Sequence, residues 1–277
     1  VQTCALPISS EVLITTSYIA LKILVFEDFF IQKNKFITTD DNPWIKENFP
    51  KSLNFSDLMK KGRAKQIQSN FSGNTTACII PTYRDFGFPV GAKVTSENLY
   101  NGILALDEDI PEEVETFLGV LPFSHVFGLL STLLTPIYRG DTVVIPEGHS
   151  ASEIFNLIEK HKIHFMIGVP TLYLYLMSSF EREKHDLSSL IYCMTGGNYL
   201  DKKTQKFIEN KLGIRLFQGY GLTEALIICC NTRIDDKPGS LGTLRRGIEV
   251  KIVDESLNTL SPGKKGEIMI GGPTVMK

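Results

Sequence analysis

Short, continuously apolar runs alternate with helix-like segments along most of the chain, and this alternation constrains the fold more than any other feature. Continuously apolar strands separated by helices are typical of a mostly parallel sheet that is covered on both faces. The sequence therefore predicts an α/β fold with mostly parallel sheets covered by helices. The runs that predict its strands are T-A-C-I-I (76–80), T-F-L-G-V-L-P (116–122), D-T-V-V-I-P (141–146), H-F-M-I-G-V-P (164–170), L-I-Y-C-M-T (190–195) and I-R-L-F-Q-G (214–219).

Helix signals lie between these runs. Thr95 is predicted to be the N-cap of one helix, and Ser150 with Glu153 forms the pattern of a capping box at the start of another. Nearer the start, 12–16 predicts a strand and 17–26 a helix, whereas 33–75 is polar and is interpreted as an irregular surface segment. The predicted helices cover 95–106, 125–138, 150–161, 171–182 and 201–212.

The pattern changes after Cys230. The segments E-V-K-I-V-D (249–254) and G-E-I-M-I-G (266–271) alternate between apolar and polar residues, with Gly/Pro turns and no helix between them. Alternation of this kind is typical of antiparallel strands with one solvated face. We therefore expect a small antiparallel β subdomain at the C-terminal end, starting within 233–277, next to an α/β body over 10–232.

Composition excludes several classes of protein. The chain has 277 residues, is 43% apolar and carries a net charge of −2, with no basic cluster that indicates nucleic-acid binding. The longest apolar stretch, from Val126, contains Pro136 and is shorter than the roughly 18 residues of a membrane span. The five cysteines lack metal or disulfide spacing. We expect a cytoplasmic protein without a transmembrane segment; peripheral membrane association stays open.

Three predicted loops at the carboxyl ends of strands carry residues suited to a ligand, where parallel sheets gather their ligands. They are T-Y-R-D-F-G-F-P-V-G (82–91), M-T-G-G-N-Y-L (194–200) and F-Q-G-Y-G-L-T-E-A (217–225). The third combines an aromatic ring, two glycines, a hydroxyl and a carboxylate, which can stack a base, approach a phosphate and bind Mg²⁺. The alternative is a glycine turn in which Thr223 caps a helix.

The motif Q-G-Y-G-L-T-E resembles the signature of the AMP-forming adenylate-forming superfamily, which comprises acyl-CoA synthetases, luciferases and adenylation domains of peptide synthetases. Further segments resemble other motifs of the superfamily and occur in the same order. The sequence is most similar to those of bacterial fatty acyl-CoA synthetases. The resemblance covers roughly residues 10–277. The other matching segments are F-P-V-G-A-K-V-T-S-E-N-L, L-P-F-S-H-V-F-G, M-T-G-G-N-Y-L, K-P-G-S-L-G-T-L-R-R-G-I-E-V-K-I-V-D and G-E-I-M-I-G-G-P-T-V-M.

The resemblance implies roles for individual residues. Tyr220 is expected to stack on adenine, Thr223 to contact phosphate and Glu224 to bind Mg²⁺. His125 occupies the position of a histidine near the acyl carboxylate; the alternative is a buried histidine at a helix start. The remaining nucleotide contacts are expected from Thr82, Gly87, Gly91, Gly196, Gly197, Asn198, Gln218, Gly219 and Gly221, and the remaining acyl contacts from Phe127, Gly128 and Gly219.

The phosphate loop departs from the superfamily pattern T-S-G-T-T-G-x-P-K-G. Bulky residues replace its small ones at 83–86, and Val90 replaces the lysine. In one reading Arg84 supplies the missing charge as a catalytic residue, since arginine binds phosphate well. In the other, ATP handling is lost and the protein is a catalytically impaired acyl- or nucleotide-binding homologue.

The resemblance implies an acid–thiol ligase that uses ATP, Mg²⁺ and coenzyme A. The expected function is activation of a fatty acid to acyl-AMP, followed by transfer to coenzyme A or an acyl carrier protein. Phe123-Ser124-His125 lacks the aspartate typical of amino-acid-activating members, and a buried ammonium without a counter-charge would be costly. An aryl or amino-acid adenylating domain is the other enzyme reading.

Both ends of the sequence suggest a partial chain. V-Q-T-C-A-L-P-I back-translates to DNA that resembles a sequencing adapter, so 1–9 are interpreted as a non-native or poorly ordered leader. The superfamily's C-terminal small domain, with its hinge and catalytic lysine, would lie beyond residue 277. We therefore expect the fragment to be inactive on its own.

Overall fold

The structure, a computed structural model, describes residues 12–15, 35–38, 53–54, 57, 60, 72–83 and 89–277. These residues belong to two compact units. The first contains Val1–Asn70 and Tyr83–Val90, and the second contains Phe71–Thr82 and Gly91–Lys277. The boundaries expected after residues 9 and 232 stay predictions.

The first unit contains a parallel sheet of three strands among its described residues. They are β1 (Val12–Thr15), β2 (Lys35–Thr38) and β3 (Leu53–Asn54), in that order. The strand expected at 12–16 is confirmed by β1. The expectation that 33–75 is irregular is wrong at β2 and β3. These strands, K-F-I-T and L-N, are short and lie among polar residues, so the sequence pattern did not indicate them. The helix expected at 17–26 falls outside the described residues.

Strands β4 (Thr76–Tyr83) and β5 (Pro89–Thr95) form a two-stranded sheet and flank 84–88, which lie outside the described residues. The strand expected at 76–80 is confirmed, but we predicted a loop leading directly to a helix where the chain forms β5. Ala92 and Val94 of β5 are buried. Helix α1 (Ser96–Asp107) follows, and the side chain of Thr95 accepts a hydrogen bond from the Asn98 backbone, as expected for an N-cap.

The main sheet of the second unit has seven strands among the described residues. Five are parallel, in the order β7, β6, β8, β9, β10, and two antiparallel strands, β11 and β12, extend it beyond β10. The bounds are β6 Thr116–Leu118, β7 Thr142–Val144, β8 Phe165–Gly168, β9 Tyr192–Thr195, β10 Leu216–Leu222, β11 Leu226–Cys230 and β12 Thr243–Leu244.

Helices cover the parallel strands on both faces. Every residue of β8 and β9 is buried, because each face packs on its own apolar cluster. This burial explains the continuous apolar runs and confirms the predicted fold class. Besides α1, the helices in the described part of the second unit are α2 (Val126–Arg139), α3 (Ala151–His161), α4 (Pro170–Ser179) and α5 (Lys202–Leu212).

Helix α2 is not a regular α-helix. Its middle part, Leu129–Leu134, is a π-helix between short α-helical ends. The backbone N–H of Thr135 donates to the Leu130 carbonyl, five residues earlier, and the Thr135 hydroxyl donates to the same oxygen at 2.8 Å. The 125–138 pattern therefore predicted a helix correctly, but its hydrogen-bond spacing changes in the middle.

The capping box expected at α3 is only half formed. Ser150 Oγ accepts from the Glu153 backbone, as expected, but the Glu153 carboxylate accepts from Gly148 N at 2.8 Å and not from Ser150. After β12, strands β13 (Glu249–Val253) and β14 (Glu267–Gly271) pair in antiparallel fashion, as predicted. No helix in the described part of the chain is long and apolar enough to cross a membrane.

Candidate functional site

The candidate site lies where β8, β9 and β10 end. Gly168, Thr195 and Gln218 are register partners across these three parallel strands, so the segments that follow them start side by side. The Gly196 backbone also donates to the Gly168 carbonyl at 3.3 Å. Two of the three loops predicted to carry a ligand, 194–200 and 217–225, are therefore neighbours at one edge of the sheet. The third, 82–91, follows β4, which belongs to another sheet.

Gly196 brings three of the predicted segments together. A methyl group on Gly196 would lie 3.2 Å from the Gly219 carbonyl oxygen and 3.3 Å from the Phe127 ring. Gly197 has a φ of +76°, which favours glycine, and lies beside the same ring. The segments M-T-G-G, Q-G-Y-G and H-V-F-G thus meet at one point, and a side chain at position 196 would be crowded.

Tyr220, Thr223 and Glu224 belong to a β-hairpin formed by β10 and β11. The pairing of these strands shifts register between Tyr220 and Gly221, which marks a bulge. Gly221 lies so close to the Leu226 carbonyl that no side chain fits there. The alternative in which Thr223 caps a helix is wrong, since a turn leads directly into β11.

The hairpin is attached at both ends. Tyr220 packs on a buried apolar cluster that includes Ala225 and Ile228. The Glu224 carbonyl accepts a hydrogen bond from Met276 N at 2.8 Å, and Asn98 of α1 donates to the Val275 carbonyl at 3.0 Å. The turn that carries Thr223 and Glu224 is therefore held by the 273–277 segment and leaves both side chains half-buried.

His125 is the N-cap of α2. Its Nδ1 accepts a hydrogen bond from the Phe127 backbone N–H at 3.1 Å, which requires an unprotonated nitrogen. Partial burial lowers the pKa of His125, although the residue keeps an exposed face. The alternative of a helix-start histidine is thus realised in part, and the expected role near an acyl carboxylate stays a prediction. Gly128, one turn into α2, is buried.

Some of the other residues predicted to contact the nucleotide are described by the structure, and some are not. Thr82 lies near the end of β4 with a half-buried side chain, and Gly91 is exposed in β5. Asn198 is exposed, and its Oδ1 accepts from Tyr199 N at 2.8 Å. Arg84 and Gly87 lie outside the described residues.

Thr195 was missed in the sequence analysis. Its Oγ1 and the Oε1 of its register partner Gln218 are both buried, and neither has a hydrogen-bond partner among the described residues. Buried polar atoms in native proteins are rarely unpaired, so each such atom needs an explanation. The Gln218 backbone is fixed by Asn231, whose Nδ2 donates to the Gln218 carbonyl at 3.2 Å. The sequence did contain a signal for Thr195, because this threonine comes at the end of a predicted strand and directly before the Gly196-Gly197 pair.

A buried ion cluster anchors the neighbouring strands. Arg245, only 7% exposed, pairs with Asp109 and donates to Glu108 Oε1 at 2.6 Å, both at the end of α1. It also donates to Cys230 Sγ at 2.9 Å. The L-R-R-G stretch looks like a surface turn in the sequence, so this cluster was not predicted.

The described residues do not support a cysteine nucleophile or a protein-only metal site. Burial raises the pKa of Cys230 to about 11 and that of Cys193 to about 12, so both thiols stay protonated at neutral pH. In the described ranges, no group of three or more His, Cys, Asp or Glu residues could hold a metal ion.

Comparison with known proteins identifies the class. The sequence profile of the family described as AMP-binding enzyme matches residues 23–277. The chain therefore belongs to the AMP-binding enzyme family, and the resemblance to adenylate-forming enzymes is confirmed.

Two curated relatives illustrate the range of similarity. A long-chain-fatty-acid–CoA ligase from Bacillus subtilis (strain 168) is 33% identical over 201 residues, which cover 69% of this chain and 35% of the relative. A 4-coumarate-CoA ligase from Narcissus pseudonarcissus is 28% identical over 276 residues, which cover 92% of this chain and 50% of the relative. The chain thus spans half or less of the length of these relatives.

A solved structure supports the fold. The anthranilate CoA ligase AuaEII, in complex with anthranoyl-AMP, superposes with a TM-score of 0.86 at 21% identity, over 96% of this chain and 52% of that one. At this identity the likeness establishes the α/β architecture alone.

Proposed function

We propose that this chain provides the nucleotide- and acid-binding part of an acid–thiol ligase. In the proposed reaction a carboxylate oxygen attacks the α-phosphorus of ATP, pyrophosphate leaves and acyl-AMP forms. A thiol, that of coenzyme A or of an acyl carrier protein, then attacks the acyl carbonyl and AMP leaves. The observation that carries the proposal is the meeting of Gly196, Gly219 and the Phe127 ring at the ends of β9 and β10.

The adenine is proposed to lie between Tyr220 and the 196–198 segment. Gly196 and Gly197 carry no side chain that would block a flat ring, and the Tyr220 ring supplies a stacking face. Gln218, Gly219 and Gly221 continue this surface along β10. The unpaired Oγ1 of Thr195 and Oε1 of Gln218 support a polar ligand at this edge.

Thr223 and Glu224 are proposed to face the phosphates. No described residue forms a hydrogen bond or ion pair with the Glu224 side chain, so its carboxylate is available. A single carboxylate fits Mg²⁺, which usually binds one or two carboxylates together with substrate phosphates. When bound, the ion would neutralise phosphate charge. Thr223 would donate its hydroxyl hydrogen to a phosphate oxygen.

The 82–91 segment is proposed to be a working variant of the phosphate loop. Thr82, Gly87 and Gly91 keep the pattern's outer positions, and Arg84 is proposed to stabilise developing negative charge as a catalytic residue. The reading in which this loop has lost ATP is the competing proposal.

The acid is proposed to bind between α2 and β10. Phe127, Gly128 and Gly219 would line the acyl pocket, and His125 would orient the carboxylate from the exposed side of its ring. A fatty acid is the proposed substrate, supported by the bacterial relative. An aromatic acid is the second candidate, supported by the coumarate relative. We propose a cytoplasmic location for this enzyme.

Nucleotide binding is the test that needs only residues of this chain. Isothermal titration of the 277-residue chain with AMP should give measurable affinity, and Tyr220→Ala should weaken it about tenfold or more, the value of one stacked base. Tyr138→Ala, at an exposed tyrosine of α2, is the matched control. Folded protein that does not bind AMP or ATP would contradict the proposal.

Mg²⁺ dependence gives a second readout. Glu224→Gln should abolish the increase in ATP affinity that Mg²⁺ causes while leaving AMP affinity unchanged. Equal loss of AMP and ATP binding would instead indicate that Glu224 supports the hairpin.

Substrate choice is tested by ATP–pyrophosphate exchange across fatty, aromatic and amino acids, with a protein that contains this chain at the length of its curated relatives. We expect exchange with fatty acids, and Arg84→Ala should reduce it at least a hundredfold, as for loss of a group that stabilises the transition state. Exchange with aromatic acids alone would favour the second candidate. No exchange from protein that still binds AMP would favour the impaired homologue.

A further inference from the structure

Helix α5 has one buried face and one strongly basic exposed face. Gln205, Ile208 and Leu212 point into the core. The opposite half of the helix, which we call the α5 surface, is formed by Lys202, Lys203, Lys206, Phe207, Asn210 and Lys211, all exposed. At about 100° per residue these positions fill one continuous half of the helix circumference.

The charge of the α5 surface is not compensated within the helix. Its one acidic residue, Glu209, accepts a hydrogen bond from Leu216 N at 2.9 Å and is thereby turned toward β10. The Asp201 carboxylate caps the helix and accepts from Lys203 N and Thr204 N, both at 3.0 Å. Among the described residues, none of the four lysines forms an ion pair with a carboxylate.

Nearby acidic side chains are already occupied. Glu181, near the end of α5, pairs with Lys184 at 2.7 Å. Asp236 pairs with Arg215, which lies between α5 and β10, at 2.6 Å. The four ammonium groups, of which that of Lys211 also interacts with Glu181, form a local positive surface on a protein whose net charge is −2. The sequence analysis found no basic cluster, because these lysines come together only on the exposed face of the folded helix.

Apolar side chains protrude from this basic surface. Phe207 is 61% exposed and lies one turn from both Lys203 and Lys211. Tyr199, two residues before the helix cap, is 77% exposed. The exposed part of the Phe207 ring contacts water. Moving it into an apolar phase that tolerates the adjacent charges would therefore be favourable.

We propose that the α5 surface binds the anionic surface of a lipid bilayer. The apolar face of α5 is buried in the protein, so the lysine-rich face itself would meet the membrane. Lysines near an anionic leaflet are attracted to its headgroups, and the Phe207 ring, which protrudes among them, would then reach the acyl boundary. Anionic headgroups complement the four lysines, and the hydrocarbon boundary accommodates Phe207. Duplex DNA would complement the charge, but its bases are already stacked on one another and would leave the phenylalanine in water. This proposal does not depend on the proposed enzymatic function.

Vesicle co-sedimentation of the 277-residue chain tests the proposal. We expect binding to vesicles that contain phosphatidylglycerol, little binding to pure phosphatidylcholine, and release near 1 M salt, where the screening length is about 3 Å. Equal binding to both vesicle types, or none to either, would overturn the proposal. Stronger competition by duplex DNA than by anionic vesicles would assign the surface to nucleic acid.

Two sets of variants locate the binding. Each lysine near an anionic leaflet is worth about fivefold in partitioning, so Lys202→Gln, Lys203→Gln, Lys206→Gln and Lys211→Gln together should lower binding at least tenfold. The charge-matched control changes four exposed lysines elsewhere, Lys160, Lys251, Lys264 and Lys265, to glutamine. Similar loss in both would show a response to net charge and overturn the assignment to α5.

The aromatic contribution is tested separately. Phe207→Ser should lower partitioning about tenfold, the loss of one inserted aromatic side chain, whereas Ile137→Ser, at an apolar residue of α2 that is 62% exposed, should not. Both positions are on the surface, so thermal melting should show that each variant is folded. Unchanged binding of Phe207→Ser would exclude insertion and overturn the bilayer as the partner.

Discussion

The Gly196 Cα faces the Gly219 carbonyl oxygen across the ends of β9 and β10 so closely that a methyl group would lie 3.2 Å from that oxygen. The contact joins a loop that follows one strand to the backbone of the next. It also fixes the position of the Phe127 ring, which is 3.3 Å from the same point. The segments predicted to bind the nucleotide and the acyl group are thus in close contact at Gly196.

Gly196→Ala should destabilise the protein and weaken AMP binding. The added methyl overpacks a contact formed partly by backbone, and overpacking of this kind costs about 1–3 kcal/mol. Urea denaturation and AMP titration provide the measurement. Gly271→Ala is the control, since nothing lies within 4 Å of a methyl group there, and its stability should change by less than about 0.5 kcal/mol.

Thr195→Val should have opposite effects on stability and on binding. Replacing a buried, unpaired hydroxyl by a methyl removes a desolvation cost, so the free energy of unfolding should rise by up to roughly 1 kcal/mol. Nucleotide affinity should fall, because we expect the hydroxyl to be used by the ligand. Thr132→Val is the matched control: its hydroxyl donates to the Gly128 carbonyl at 2.9 Å, and its loss should destabilise. Destabilisation by both variants would show that Thr195 is paired in the free protein.

Arg245→Met should destabilise the second unit strongly. It leaves the Glu108 and Asp109 carboxylates without their cation, and breaking a buried pair costs roughly 3 kcal/mol, the lower end of the usual range because Glu108 is 32% exposed. Lys184→Met removes the exposed pair with Glu181 and should cost less than about 0.5 kcal/mol. Equal melting temperatures for the two variants would contradict the structural importance of the Arg245 cluster.

His125 should make stability fall on acidification. Its pKa is lowered from the ordinary 6.5 by burial, so below pH 6.5 the unfolded chain binds a proton before the folded protein does. Stability is fully present above pH 6.5 and is lost as the pH falls toward the lower folded pKa. His125→Asn keeps an acceptor for the Phe127 N–H but does not titrate. Melting temperatures at pH 7.5 and pH 5 should therefore diverge between wild type and variant, and parallel curves would refute this assignment.

Burial decided which parts of the fold could be predicted. Strands β8 and β9 are covered on both faces, so their composition is apolar throughout and predicts them well. Strand β5 was missed because Gly91 and Lys93 are exposed in it and interrupt the apolar pattern. Strand β11 was missed because it follows β10 through a tight turn that reads like a helix start.

The candidate site was predictable where backbone approach requires glycine. Gly196 and Gly219 belong to two loops that were expected at the carboxyl ends of strands, and the structure places these glycines next to each other. The roles of Thr195 and Arg245 were not expected. The role of Thr195 depends on a buried hydroxyl without a hydrogen-bond partner among the described residues. That of Arg245 depends on carboxylates that are distant in the sequence. Neither property leaves a local signature in the residues around them.

The π-helical turn in α2 has a consequence for how positions correspond between relatives. A π turn contains one more residue than an α-helical turn. If a relative has a regular α-helix here and the two helices are matched before Leu129–Leu134, residues after that segment will be shifted by one position. His125, Phe127 and Gly128 precede this turn and can be matched directly. Ile137 and Tyr138 follow it, and they can be compared with residues of such a relative only after a single-residue gap.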